Sequence, residues 1–269
     1  MDIITHALSG VAAGTVIANL PKINIKKKIG LMSIGGLGGI IPDIDAISLW
    51  SKFDSTIGQF FGLTLSGKEI YSAKLWYSHH SFMHSLFGCL ICGLLLAFLW
   101  YFIQTHFKNI SIKNFFNSIN TNKLFIISFI VGFIVHLLED LPTPSSSWGG
   151  INLLWPLNIY IGGTGEIWWW NNYDIFLFVT LVIVINLILL ISQYLYKFNS
   201  FKYSLSIFII GFIFIVFQIK NRDFDFNYVG KTTKFDFYEQ KSKEIQKNIL
   251  GENLYYIINE FDKRVKVNF

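Results

Sequence analysis

The stretch Val135-His136-Leu137-Leu138-Glu139-Asp140-Leu141-Pro142-Thr143-Pro144 closes an apolar run that begins at Leu124. Its Ile, Val, Phe and Leu content reads as a helix crossing a bilayer, and Pro142 and Pro144 stop it. His136 and Asp140 are one helical turn apart on one face. An ionisable pair at the end of such a helix needs a partner, and a functional role is the default reading of such groups in membrane segments. An imidazole nitrogen and a carboxylate oxygen in this arrangement can grip one divalent cation, or simply bond to each other at a packed helix end.

Working outward, the 269 residues are 52% hydrophobic and 14% charged, with a mean hydropathy of +0.47. Soluble domains carry about 25% charged residues, so the composition defines a polytopic membrane protein. Six apolar runs are expected to span: Ile3 to Leu20, Ile29 to Trp50, Leu86 to Phe102, Leu124 to Leu141, Ile175 to Leu195 and Tyr203 to Ile219. Met1-Asp2 opens the chain with no basic region, so the first run is expected to stay as a helix. Residues 1–219 form a transmembrane helical domain in this reading. Residues 220–269 change character: Phe224-Asp225-Phe226 and Phe235-Asp236-Phe237 alternate like strands, and Tyr238 to Arg264 reads as a helix broken at Gly251. The expected fold is therefore all-α in the membrane, with about six transmembrane helices and a small C-terminal α+β extramembrane appendage.

The lysine-bearing loops at 21–28, 104–123 and 197–202 fall on one side of a six-span arrangement, and positive loops face the cytoplasm. The opposite, non-cytoplasmic side then receives His6, Asp43, Asp45, His79, His80, His84, His136 and Asp140, all at helix ends. Only His106, of the six histidines, lies in a basic loop. Mixed imidazole and carboxylate favours zinc, manganese or iron, and so many donors suit one or two ions. Glu139 stands beside His136 as an orienting group or as an interfacial one. Cys89 and Cys92, inside an apolar run, read as packing residues. Seven of the eight tryptophans read as an interfacial belt on the outer side. Gly162-Gly163-Thr164-Gly165 reads as a turn, since no lysine follows it as in a phosphate loop. Nothing in the chain signals nucleic-acid binding.

Taken in order, Thr5-His6-Ala7-Leu8-Ser9-Gly10, Pro42-Asp43-Ile44-Asp45, His79 to Ser85, His136-x-x-x-Asp140 with Thr143-Pro144, and Leu153-Leu154-Trp155-Pro156-Leu157 resemble the YdjM-type family of membrane-bound metal-dependent hydrolases. The resemblance covers about residues 1–160. Where the family commonly reads His-Arg-Gly-x-Thr-His-Ser, this chain has His79-His80-Ser81-Phe82-Met83-His84-Ser85, so a histidine replaces the arginine fork that would hold an anion. The resemblance implies a divalent metal, zinc first, and hydrolysis in a bacterial-type inner or cell membrane. The expected ligands are His6, His79, His84, His136 and Asp140 together with one of the pair Asp43 and Asp45, Asp43 being placed first. The other of the pair, Asp45, and Glu139 are the expected catalytic or supporting carboxylates, and the order within the pair is open. A lipid or envelope-associated phosphoester is the expected substrate. A non-enzymatic metal-binding scaffold or transporter is the alternative, although a transporter places its ionisable groups near the midplane.

Overall fold

In the computed structural model, residues 2–106, 108 and 110–265 are described. Eight α-helices follow in order: α1 (Ile3–Ala18), α2 (Ile25–Ile40), α3 (Gly67–Ser72), α4 (Leu86–Thr105), α5 (Ile112–Asp140), α6 (Tyr173–Tyr196), α7 (Phe201–Lys220) and α8 (Phe235–Arg264). Two 3-10 segments, Ile41–Leu49 and Phe82–His84, extend α2 and precede α4. Caps set the starts. Asp2 accepts the Thr5 amide at 2.9 Å, Asn24 that of Lys27 at 2.9 Å, and Ser85 that of Gly88 at 2.9 Å. The stop at Asp140 is the one that Pro142 dictates.

Among the described residues, five helical segments are long and apolar enough to cross a membrane: Ile25–Leu49, Leu86–Thr105, Ile112–Asp140, Tyr173–Tyr196 and Phe201–Lys220. Helix α1 has 16 residues, about 24 Å of rise, short of a hydrocarbon core of about 30 Å. The count is therefore five candidate spans and one shorter apolar helix. Helix α5 starts at Ile112, capped by Ser111, so much of the lysine-bearing segment expected as a loop is helical.

Glycine brings α1, α2 and α5 together. A Cβ on Gly39 would lie 2.2 Å from the His6 carbonyl oxygen. One on Gly35 would lie 2.5 Å from that of Gly10, and one on Gly132 would lie 2.1 Å from that of Gly35. Helix α2 is thus wedged between α1 and α5 at backbone contact distance, the packing that small residues permit in lipid. The same wedge sets His6, the α2 C-terminus and His136 side by side.

The C-terminal segment corrects the expected α+β appendage. Among the described residues it contains no strand, and residues 266–269 lie outside them. Phe235 to Tyr238 is the first turn of α8, not a strand. The alternating aromatics pack as a cluster: Phe226 is fully buried with its ring 5.7 Å from Trp168, and Tyr228 stacks on Tyr238 at 5.8 Å. Aromatic alternation here marks two faces of a packed coil, without a partner strand to pair with. The expected break at Gly251 is present, with φ +73° and ψ 163°. Trp148 and Trp168 are buried, so these two serve packing and not a belt. Gly162, Gly163 and Gly165 take positive φ, as a turn requires. Cys89 is buried in a cluster with Phe129, Phe133 and Leu137.

Candidate metal centre

Each element delivers its donors at the same end of the bundle. Helix α1 begins with His6, the 3-10 extension of α2 carries Asp43 and Asp45, His84 precedes α4, and α5 ends with His136 and Asp140. His6, His84 and His136 are completely buried, and Asp140 is nearly so.

Three imidazoles share one logic. His136 Nδ1 lies 2.7 Å from the Gly39 carbonyl oxygen, His6 Nδ1 lies 2.7 Å from Glu139 Oε2, and His84 Nδ1 lies 3.2 Å from Asp45 Oδ2. These partners only accept, so each Nδ1 carries a hydrogen, and each Nε2, once free of its own proton, turns its lone pair inward. The Nε2 atoms converge. His84 Nε2 is 3.3 Å from His136 Nε2. Asp140 lies 3.1 Å from His136 Nε2, 3.4 Å from His84 Nε2 and 3.3 Å from His6 Nε2. Asp43 Oδ1 is 3.5 Å from His84 Nε2 and 3.7 Å from His136 Nε2. His6 stacks on His136 with ring centroids 3.8 Å apart, and its buried Nε2 makes no well-formed hydrogen bond among the described residues, Asp140 standing 3.3 Å away.

This arrangement fits a divalent cation. Two imidazole lone pairs facing each other at 3.3 Å repel unless a proton or a cation stands between them. Buried carboxylates around them require positive charge as well. The donor groups His6–His136–Asp140 and Asp43–His84–His136 can each hold an ion, as can Asp43–Asp45–His79 and His79–His80–His84. All six sequence-selected ligands therefore come together, and His80 joins them.

The supporting residues were partly hidden in the sequence. Asp45 receives both His79 Nδ1, at 2.7 Å, and His84 Nδ1, at 3.2 Å, which commits its two oxygens to holding rings. Ser9 donates to Glu139, whose other oxygen holds His6. Ser9 follows His6 by three positions on one helix face, a spacing that could have been read. The Gly39 carbonyl and Tyr71, stacked on His79 at 4.5 Å, carry no sequence signal. His79 and His80 are not helical: His80 sits at φ +63°, its Nδ1 3.2 Å from the Gly150 carbonyl, and the Asn152 amide bonds back to the His80 carbonyl at 2.8 Å. Burial pushes the His80 imidazole well below its ordinary value, and His79 and His84 add to that. Burial works the same way on His84, but Asp45 and the neighbouring carboxylates outweigh it and hold this ring well above its ordinary value.

Beside the donors opens a cavity of about 970 Å³, with Asp43, His79, His80 and Asp140 on its wall. A helical membrane protein with a buried, cavity-facing cluster of imidazoles and carboxylates is the class that fold and site define. The chain belongs to the YdjM inner membrane protein family, whose model matches residues 1–223. No curated protein and no solved structure matches it.

Proposed function

We propose that the chain is a membrane-embedded metal-dependent hydrolase acting on a phosphoester of a lipid or envelope-associated substrate. The observation that carries this reading is the set of inward Nε2 lone pairs beside a cavity, each ring braced at Nδ1. His6, His84, His136, Asp140 and Asp43 would hold the ion, with His79 as a further donor toward a second. Zinc suits the set best, with manganese next. A bound divalent ion supplies Lewis-acid polarisation of the scissile group and acidifies water.

The chain's own groups supply the rest. The Asp43 side chain is 15% exposed and lines the cavity, which makes its carboxylate the one placed to meet substrate or to accept a proton from water at Oδ. Asp45 and Glu139 act behind the donors as positioning residues, fixing tautomer and ring orientation. The site lies at the non-cytoplasmic face, because the lysines of residues 21–28, 113–123 and 197–202 lie at the other ends of the helices. Residues 220–269 then sit outside the bilayer on the same side as the site.

The test begins with metal analysis of the purified chain beside His136→Ala, expecting stoichiometric zinc in the first and its loss in the second. Phosphate release from phospholipids and phosphomonoesters, with zinc or manganese added, should be abolished by Asp140→Asn. Metal retained with no turnover on any substrate would move the assignment to a metal-binding scaffold.

A further inference from the structure

The cavity beside the donors has two walls of different origin. Its floor comes from the family-matched part of the chain, including Asp43, His79 and Asp140. Its roof comes from residues beyond that match: Lys231, Thr232, Phe235, Lys243, Phe261 and Lys263 among them. Among the described residues, the lysines on the cavity wall, Lys231, Lys243 and Lys263, all belong to this roof. Two of the three are already neutralised, Lys243 by Glu239 at 2.5 Å and Lys263 by Glu260 at 2.5 Å. Lys231 makes no ion pair within 4 Å among the described residues, and it is near enough to the exposed Glu69 only to be felt through space.

Lys231 is also held in place by backbone. The Phe226 amide bonds the Gly165 carbonyl at 2.7 Å, Val229 bridges to Ser146, and the Gly230 amide bonds the Ser146 carbonyl at 2.9 Å. Gly230 takes φ +82°, a turn that an L side chain resists, and Lys231 follows it directly. Ser146, the anchor of this turn, itself lines the cavity. The same cavity also has apolar lining from Ile3, Leu49, Phe176, Ile258 and Phe261, with the Phe176 and Phe261 rings 6.1 Å apart. Three of these sit at the ends of apolar helical segments: Ile3 opens α1, Leu49 closes the α2 extension and Phe176 lies in the first turn of α6. These three lining residues therefore stand at the level at which a bilayer would begin.

We propose that this cavity is a chamber for an amphiphile, in which Lys231 holds a phosphate against the donor floor while the apolar lining of Ile3, Leu49, Phe176 and Phe261 takes the alkyl chain. The roof thereby supplies the cation that His80 does not offer at the third motif. This rests on the phosphoester reading for the identity of the head group, so its test reads binding and not turnover.

The experiment titrates zinc-loaded full-length protein in micelles with octyl phosphate, inorganic phosphate and the neutral amphiphile octyl glucoside, by calorimetry. Octyl phosphate should bind at least about tenfold more tightly than inorganic phosphate, since burying methylenes adds affinity that phosphate lacks. Lys231→Gln should weaken octyl phosphate by about tenfold or more, the size of a lost charge-assisted contact, while Lys231→Arg retains it. Zinc content should be equal in all three proteins. Leu49→Gln should erase the advantage of the alkyl chain and leave inorganic phosphate unchanged. Equal affinity of wild type and Lys231→Gln overturns the assignment of Lys231. Equal affinity for octyl and inorganic phosphate overturns the amphiphile and identifies free phosphate as the ligand. Octyl phosphate binding as expected, with no phosphoester cleaved, leaves the chamber standing and removes the hydrolase.

Discussion

His6, His84 and His136 each present one nitrogen to the centre only because the other is occupied. Removing an Nδ1 partner should loosen the ring and weaken the metal without touching a ligand. Asp45 braces two rings, so Asp45→Ala should lower zinc affinity by the 10- to 100-fold typical of lost supporting contacts, roughly, while the protein still folds. At Glu139, the amide of Glu139→Gln still offers an oxygen to His6 Nδ1, whereas Glu139→Leu does not. Competition with a chromophoric chelator should rank wild type, Glu139→Gln and Glu139→Leu in that order. Equal affinities for the two variants would show that Glu139 does not orient His6. His84 adds a pH dependence of definite sign. The carboxylates raise this ring above its ordinary value in the metal-free protein, so protons compete with metal even above pH 6.5. Zinc affinity should fall as pH is lowered, with the fall beginning above the ordinary imidazole range, and binding near neutral pH should release protons, measurable in weakly buffered calorimetry.

At the scale of helices, the centre depends on how closely α2 lies against α1 and α5. Gly39 combines both tasks: its carbonyl fixes His136, and its missing Cβ lets His6 approach. Gly39→Ala would place a methyl 2.2 Å from the His6 carbonyl oxygen, so α1 must move away. The expected result is loss of zinc from a protein that retains every ligand, with metal analysis as the measurement and helical circular dichroism as the control. Full zinc occupancy in Gly39→Ala would show that the wedge is dispensable. This is also where sequence reading succeeded and where it stopped. Apolar length located the helices to within a turn for most ends, and Pro142 fixed the end of α5. The donors were legible because imidazoles and carboxylates are conspicuous among Ile, Leu and Phe. The start of α5 was not, since a polar, lysine-bearing helix leaving the apolar stretch looks like a loop until its Ser111 cap is seen. The period-two aromatics of residues 224–238 misled for a different reason: alternation reports two faces, and a packed coil over Trp168 has two faces as a strand does. His80 was legible as a member of the group, but its setting was not: a histidine at φ +63° in an irregular turn, held on the Gly150 carbonyl, has no sequence pattern to betray it.

The whole molecule is tied together, at the end of the bundle that carries the donors, by one polar network. Arg222, just past α7, pairs with Asp174 at the start of α6, its Nη2 lying 2.9 Å from each carboxylate oxygen. Gln246 of α8 donates to Asp174 Oδ1 at 2.9 Å and accepts the Asp174 amide at 2.9 Å. Arg222 also reaches Asn172 at 2.9 Å, and the Tyr173 hydroxyl donates to Asp262 at 2.8 Å. The Arg222 and Asp174 side chains are 2% and 1% exposed. A buried pair of this kind is not automatically a net gain in stability, but breaking it leaves a charge with no solvent and costs about 3–5 kcal/mol. Asp174→Ala should therefore act on the attachment of α8 more than on the helices beneath it, because α8 reaches α6 through this network and the aromatic cluster around Trp168. Limited proteolysis should cut within residues 224–265 of the variant at protease levels that spare the wild type. Zinc held by the donors on α1, α2, α4 and α5 should remain. A double substitution, Arg222→Met with Asp174→Leu, removes both charges and should recover much of the resistance to protease, as replacing a buried pair by apolar groups often does. If Asp174→Ala lost its zinc together with the tail, roof and centre would be one cooperative unit, and the division between a donor floor and a separately attached roof would be wrong.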